Sequence, residues 1–364
     1  MKIVIDARLY GLEHRGLGRY LVELIDALGK IDRENNYILL TNPNNKGQIL
    51  NLPSNFTVVS APWRVYSLVE QIKLPLLLRK IKPDLIHFPH FTVPFLAPAP
   101  FVVTIHDLIL HHFPSERATT LSPILYWFKV RVYYLVVGVA IRRAKKIITI
   151  SQAVAQDIIN YYPKEKSKIS IIPLAPGSLN EGVVLNLPLK YFLAVGAAYP
   201  HKNLELVLRA LKQVPADLND FKFIVVGRKD IFMERLEKYA SELGLVEKVI
   251  FWGEASEGEL VTLYKNATAY LLPSLAEGFG LGAVEALACG TPVIAADIPV
   301  LHEVLGQAAL FVNPQSELDL IKAWQAIQNS ETRKILLSAG QGVLQNLSWD
   351  KVAHKMQKLY TDQN

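Results

Sequence analysis

The chain is poor in cysteine: Cys289 is the only one in 364 residues. That excludes an internal disulfide framework and a cysteine-rich zinc site, and a reduced, cytoplasmic setting is the simplest one. A secretory signal is lacking as well. The N-terminus MKIVIDARLYG brings in Asp6 and Arg8 almost at once and has no apolar core of the signal type. No uncharged apolar run reaches the ~18 residues of a membrane span. The run FTVPFLAPAPFVVTI (91–105) holds three prolines and reads as a loop leading into a strand. No GxGxxG follows a strand and no P-loop pattern occurs, which argues against a nicotinamide dehydrogenase or a P-loop nucleotidase. Short-period repeats and low-complexity tracts are absent too.

Carboxylates are missing from one stretch. Between Ala118 and Gln156 there is no Asp or Glu, but there are six cations: Lys129, Arg131, Arg142, Arg143, Lys145 and Lys146. The net charge of +6 is this stretch, because the other 33 basic residues (39 − 6) balance the 33 acidic ones.

What is present is a globular composition, 51% hydrophobic and 20% charged, at a length that suggests two domains. Short apolar, β-branched runs alternate with amphipathic helical patterns. KIVID (2–6), FVVTI (101–105) and KKIITI (145–150) read as strands, and GRYLVELIDALGK (18–30) as a helix. After the proline- and glycine-rich PLAPGSLNEGVVLNLPLK (173–190) the alternation restarts. YFLAVG (191–196), FKFIVVG (221–227), KVIFWG (248–253), AYLLPS (269–274) and PVIAA (292–296) are strands. LELVLRALKQV (204–214) is a helix, and SEGEL (256–260) opens another with a capping box. The fold class is α/β, two Rossmann-like domains with parallel sheets facing each other across a cleft. The expected divisions are 1–175, a linker at 176–190, 191–346, and a C-terminal helix within 347–364 capped by Ser348.

The segment AEGFGLGAVEALACG (276–290) sets two glutamates eight positions apart around glycines. Glu277 lies in a strand-to-helix turn, the place where open α/β sheets bind ligands. Gly278, Gly280 and Gly282 allow close approach to the backbone. The helix that begins near Gly280 presents free N–H groups and the positive end of its dipole, an anion site. Glu285, about one turn inside, rises on the same side. A carboxylate repels phosphate, so its task beside an anion site is to accept hydrogen bonds from hydroxyls. Two carboxylates flanking a diphosphate describe a nucleotide-diphospho-sugar. Taken alone, EGFG is more readily a glycine turn with solvated acids, because short motifs match often by chance.

The longer segment LYKNATAYLLPSLAEGFGLGAVEALACGTPVIAADIPVLHEVLGQAALFVNP (263–314) closely resembles the donor-site segment of retaining glycosyltransferases of family 4, which have the GT-B fold. The resemblance extends over nearly the whole chain. It lays the family's Glu-x7-Glu signature on Glu277, oriented to the sugar, and Glu285, holding the ribose. The donor loop between them is Gly278, Phe279, Gly280, Leu281 and Gly282. Gly282 stands where the family usually has proline, so a looser loop is expected. VGAAYPHKNLELVLRAL (195–211) resembles the first strand-loop-helix of the C-terminal domain. Lys202 there matches the lysine that contacts the diphosphate, with Asn203 beside it as helix N-cap. Ala197 stands where many members have an arginine, and Arg228 is the candidate substitute. In the N-terminal half, HRGLGRY (14–20) resembles a glycine loop facing the cleft through Gly16 and Gly18. In VVTIHDL (102–108) the resemblance puts His106 near the donor sugar, with Asp107 in support. A satisfied buried histidine is the other reading of His106. ITISQAVAQDI (148–158) matches the last strand of that domain, and the SWDKV helix crosses back to it.

The resemblance implies a retaining, metal-independent hexosyltransferase with no cofactor beyond its nucleotide-sugar donor. GDP-mannose is the first choice of donor and a UDP-hexose the second; a saccharide or lipid-linked saccharide is the acceptor. A sugar-nucleotide epimerase and a non-catalytic nucleotide-sugar-binding protein are the alternatives. His111 and His112 have no partner at metal-ligand spacing. The basic stretch 121–146 has two readings. It is a long helix packed on the N-terminal sheet, with residues 132–141 as its apolar core, or an interfacial segment in peripheral contact with an anionic inner membrane face. Nothing in it resembles a nucleic-acid-binding motif.

Overall fold

The computed structural model describes residues 1–11, 15–43, 52–98, 100–115, 117, 119, 122–177 and 181–362. The chain forms two compact units. Unit 1 comprises Met1–His112, Pro123–Ala175 and Leu347–Asn364; unit 2 comprises Phe113–Ser122 and Pro176–Asn346. Residues 178–180 of the linker lie outside the described residues.

Unit 1 runs β1 (Lys2–Asp6), α1 (Arg15–Ile31), β2 (Asn36–Thr41), β3 (Phe56–Ser60), α2 (Leu68–Ile81), β4 (Leu85–Phe88) and β5 (Phe101–Ile105). It continues through α3 (Ile109–His112), α4 (Pro123–Arg143), β6 (Lys146–Thr149), α5 (Gln152–Tyr161) and β7 (Ile169–Ile171). The strands form one parallel sheet in the order β3-β2-β1-β4-β5-β6-β7. β4 and β5 are buried at every position, and FVVTI of β5 accordingly reads as an unbroken apolar run. The strand inside ITISQAVAQDI is therefore not the last of this unit: β7 pairs beyond it at the edge.

α4 is one continuous helix of 21 residues. Among the described residues it alone has the length and composition to cross a bilayer. Only Tyr126, Val130, Val137, Gly138, Ala140 and Ile141 are buried. The expected apolar core at 132–141 is thus half right, since Val132, Tyr134 and Leu135 are exposed. The reason is geometric: a helix laid on a sheet turns one stripe inward, whatever its other stripes are made of.

Unit 2 runs β8 (Tyr191–Val195), α6 (Leu204–Lys212), β9 (Lys222–Val226), α7 (Ile231–Glu242), β10 (Val249–Gly253) and α8 (Glu257–Asn266). Then come β11 (Ala269–Leu272), α9 (Leu281–Ala288), β12 (Val293–Ala296), α10 (Pro299–Leu305), β13 (Ala309–Val312), α11 (Glu317–Ala326) and α12 (Ser330–Asn346). Its parallel sheet has the order β10-β9-β8-β11-β12-β13. Strand order reverses between β8 and β11, as it does between β1 and β4 in unit 1. The loops after these strands are where such sheets bind ligands. Phe192 of β8 stacks on Phe221 and Trp324 to anchor the core on one face.

α9 seats against β11 through glycine. A Cβ added at Gly282 would fall on the buried Tyr270 hydroxyl and 3.0 Å from its ring carbon Cζ. Gly280, the N-cap residue, has φ 86° and lies against Leu301 and Leu272. The expected looser loop is not what Gly282 provides. Its missing side chain makes room for a tyrosine, and the loop is tightly packed.

The last helix, α13 (Trp349–Thr361), is capped by Ser348 and packs on α1 in unit 1. Tyr360 Oη lies 2.7 Å from His87 Nδ1, and His87 Nε2 lies 2.8 Å from Thr104 Oγ1. His87 is fully buried, and burial, reinforced by His106, pulls its pKa down to about 3. The ring is neutral, with one nitrogen donating and the other accepting.

Two predictions follow from this packing. Gly282→Ala should destabilise the protein: overpacking costs ~1–3 kcal/mol, more than the ~1 kcal/mol that alanine gains over glycine in a helix. Adding Tyr270→Phe should recover part of the loss in a double-mutant cycle; a stable Gly282→Ala protein contradicts the packing account. His87 is unprotonated in the folded state down to a pH of about 3, whereas an unfolded histidine titrates near ~6.5. Its contribution is therefore complete above pH ~6.5 and is lost as pH falls below it, at up to ~1.4 kcal/mol per pH unit. Urea unfolding between about pH 7.5 and 5 should show a shallower loss in His87→Gln, whose side chain does not titrate. An unchanged slope would overturn the assignment.

Candidate active site

In unit 2, three loops at the carboxyl ends of strands are laced together. After β8 the chain makes a 3-10 turn, Pro200–Lys202, and Asn203 follows in the left-handed region at φ 56°. Asn203 occupies the N-cap position of α6, but its side chain caps nothing there. Its Nδ2 instead donates to Pro273 O (3.0 Å) and Pro314 O (2.8 Å), tying the loops after β11 and β13 to its own. Leu275 N adds a bond to His201 O at 2.7 Å. The expected N-cap is thus a cross-link between loops.

That lacing brings Lys202 to Glu277. Lys202 Nζ and Ser274 Oγ each donate to Glu277 Oε1 at 2.7 Å, and the Glu277 side chain is only 8% exposed. Neighbouring His201 is held neutral: burial, helped by Lys202, lowers its pKa to about 4. From Glu277 the chain passes Gly278 and Phe279 to Gly280. The Phe279 ring is buried, so this residue offers only its backbone. α9 starts at Leu281 with no side-chain cap, leaving the first N–H groups at Leu281 and Gly282 to other acceptors. Glu285 is buried in α9 and accepts a hydrogen bond from Tyr264 Oη at 3.3 Å.

Arg228 is exposed beyond β9. Val195 pairs with Val226, so Ala197 and Arg228 each stand two residues past paired positions on adjacent strands. The two turns touch, because a Cβ at Gly227 would strike Gly196 O. Arg228 thus occupies the neighbourhood of Ala197.

In unit 1 the expected residues are less uniformly placed. Gly16 and Gly18 belong to the first turn of α1 rather than to a loop. Gly16 is exposed with nothing within 4 Å of where a Cβ would be, while Gly18 is buried. His14 lies outside the described residues. His106 follows β5, and its Nε2 lies 2.9 Å from Pro89 O. A carbonyl only accepts, so Nε2 carries the proton and Nδ1 keeps its lone pair. Burial lowers the His106 pKa to about 4, and Tyr20 packs edge-on at 4.8 Å. Asp107 Oδ1 accepts from Ile109 N at 3.0 Å and so caps α3. His112 pairs with Asp157 at 3.0 Å, and His111 sits among tyrosines with its Nδ1 3.0 Å from Tyr133 Oη. Among the described residues no three His, Cys, Asp or Glu side chains gather as metal ligands do.

The sequence reading passed over a buried ion triad at the carboxyl end of β1. Arg8 bonds Asp6 (2.6 Å) and Glu70 (2.5 Å), all three nearly inaccessible. Glu70 Oε2 also accepts from Tyr66 N at 2.7 Å. Tyr66 is held at φ 68°, a costly conformation for an aromatic residue, with its ring exposed beside His90. The only sequence signal was two opposite charges at the end of an apolar strand.

Two family models divide the chain between them. Residues 14–175 match Glycosyltransferase Family 4, and residues 181–343 match Glycosyl transferases group 1. The chain is 37% identical to the O-antigen chain mannosyltransferase RfbU of Salmonella typhimurium, across 74% of this chain and 70% of that one. It is 26% identical to O-antigen chain mannosyltransferase B of Escherichia coli, across 96% of this chain and 97% of that one. Among solved structures, sucrose-phosphate synthase from Thermosynechococcus elongatus superposes with a TM-score of 0.80 at 22% identity, covering 99% of this chain and 98% of that one. With both halves matched and a relative this similar, the chain belongs to the group 1 and family 4 glycosyltransferases and is a glycosyltransferase of GT-B fold.

Proposed function

We propose that this glycosyltransferase moves mannose from GDP-mannose, with retention at the anomeric carbon, to a hydroxyl of a saccharide or lipid-linked saccharide in polysaccharide synthesis. The observation that carries the donor site is the Lys202–Glu277–Ser274 cluster beside the uncapped start of α9. A cation and free N–H groups suit a diphosphate; carboxylates next to them suit hydroxyls. The choice of mannose is supported by the two O-antigen chain mannosyltransferases among the relatives.

In this reading the bond from the anomeric carbon to the diphosphate breaks and a bond to the acceptor oxygen forms on the same face. The leaving phosphate takes the acceptor's proton. Negative charge grows on that phosphate, and Lys202, Arg228 and the N–H groups at Leu281 and Gly282 are the groups to stabilise it. They supply by themselves the charge compensation that a divalent cation would otherwise give, so the reaction proceeds without one. Glu277 orients the sugar through its hydroxyls, and Glu285 holds the ribose. His106, neutral and with Nδ1 free to accept, takes a sugar hydroxyl. The acid-free α4 keeps the enzyme in peripheral contact with an anionic membrane face.

Binding and turnover over a panel of GDP-mannose, UDP-glucose and UDP-N-acetylglucosamine test the donor: preference for either UDP-sugar would overturn it. Added Mg²⁺ or EDTA should change the rate little, and strict metal dependence would contradict the mechanism. Lys202→Ala should cost ~2–4 kcal/mol of transition-state stabilisation, as loss of one preorganised donor does. Glu285→Ala should raise donor KM, because ribose contacts act in ground and transition state alike, while Glu277→Ala should lower kcat more. An unaltered donor KM in Glu285→Ala would remove the ribose assignment.

A further inference from the structure

α2 and α4 are each apolar on two faces. α4 turns Tyr126, Val130, Val137 and Ile141 inward, yet shows Ile124 (86% exposed), Phe128 (62%) and Val132 to solvent at i, i+4 and i+8. α2 does the same: Leu74 and Leu78 are buried, while Leu68 (85%), Ile72 (61%) and Leu76 are exposed at the same spacing. A helix resting on a soluble sheet normally gives its outer face to polar residues. Here the outer stripes are as apolar as the inner ones.

The two helices cover one core. Leu74 and Leu78 share a buried cluster with Val137, Ala140 and Ile141, and Ala97 lies in it too. The loop carrying exposed Phe95 and Leu96 is fastened to both helices. Phe95 N donates to Gln71 Oε1 (2.9 Å) and Arg79 Nη2 to Leu96 O (3.2 Å) on the α2 side. From α4, Arg143 donates to Phe95 O and, at 2.6 Å, to Ala97 O. The exposed apolar residues of three segments therefore belong to one face of unit 1.

Charge decides what covers this face. Its exposed ionisable groups include Lys73 and Lys80 on α2 and Lys129 and Arg131 on α4. The one carboxylate of the two helices, Glu70, is buried against Arg8. A second copy of the chain would bring cations against cations. Cations flanking apolar side chains that reach outward are what an anionic lipid surface takes up: headgroups pair with the lysines and arginines while the apolar tips enter the acyl boundary.

We propose that α2, the Phe95–Leu96 loop and α4 together form a two-helix docking face for an anionic bilayer, with both helices lying in the interface. It deepens the membrane contact proposed above, which invoked α4 alone, and rests on that reading. It also gives direction to the acceptor: the first turn of α2 is held to Tyr66 and Arg8 through Glu70, so a lipid-linked saccharide held by this bilayer arrives at the carboxyl ends of β1 and β4.

Vesicle flotation of the full chain tests it, with phosphatidylcholine vesicles containing or lacking about 30 mol% phosphatidylglycerol, at about 0.1 M and 0.5 M salt. The chain should float with the anionic vesicles at low salt and far less in the other cases. Ile72→Asp on α2 and Phe128→Asp on α4 should each cut binding by about tenfold or more. Both side chains point to solvent, so thermal melting and hydrolysis of soluble donor should be unchanged. Flotation unaffected by Ile72→Asp but abolished by Phe128→Asp would overturn the composite face and leave α4 as sole contact. No flotation by the unmodified chain would remove the membrane contact altogether, and donor turnover would show separately whether the transferase reading stands. Concentration-dependent dimerisation abolished by both substitutions, without vesicle binding, would assign the face to a second copy instead.

Discussion

The Lys202–Glu277 ion pair joins loops that are 75 residues apart in the chain and adjacent in the sheet. It exists because β8 and β11 are neighbours at the point where strand order reverses. Asn203 makes the junction stiff by binding one carbonyl of the Glu277 loop and one of a third loop, that after β13. The pair is neither solvated nor sealed, with side chains 29% and 8% exposed. Such a position lets Lys202 be paired without a ligand and remain within reach of a more highly charged anion. In the proposed reaction a diphosphate competes with a single carboxylate for that cation, and Glu277, once released, has its oxygens available for sugar hydroxyls. Binding of the two ends of the donor is thereby linked through one exchange of partners.

Unit 1 repeats the arrangement with a different balance. Its sheet reverses between β1 and β4, and there too opposite charges join non-adjacent segments: Asp6 and Arg8 from the end of β1, Glu70 from the first turn of α2. This triad is buried throughout, so removing one partner would strand a charge away from water. It has no cation to spare for a ligand. What it does is fix Tyr66 and the start of α2, and so the edge of the docking face. The same topology thus yields an open charge pair in one unit and a closed structural one in the other.

Much of this was legible in the sequence. β1 and β5 were read with their limits, because strands buried on both faces are continuous apolar runs and their ends are abrupt. The capping boundaries of α8 and α13 were equally plain, since Ser256 and Ser348 act locally. β2, β3, β4, β7 and β13 were not picked out; runs as short as LIHF or ISI carry too little period to separate strand from helix or loop. The misreadings share a cause. Gly282 answers to a tyrosine on the preceding strand, and Asn203 to carbonyls 70 and 111 residues away. Neither partner is visible in a local window. α4 misled for the converse reason: its inner and outer stripes have the same composition, so only the fold says which is covered.

His106 shows how burial serves the proposed chemistry. A protonated imidazole would set a positive charge against a sugar ring that itself becomes cationic as the donor bond breaks. Burial lowers the pKa of the ring to about 4 and outweighs the hydrogen bond to Pro89 O, which raises it and holds the remaining proton on Nε2. At neutral pH the ring therefore presents a lone pair at Nδ1 and no net charge. The same hydrogen bond that fixes the tautomer also orients the ring, and Tyr20 packs edge-on against it at 4.8 Å. Tyr20 in turn rests near Trp349 of α13, 6.1 Å between ring centroids. The last helix of the chain thus contributes to holding a residue that follows the fifth strand, which gives a structural reason for the chain to return to unit 1 after completing unit 2.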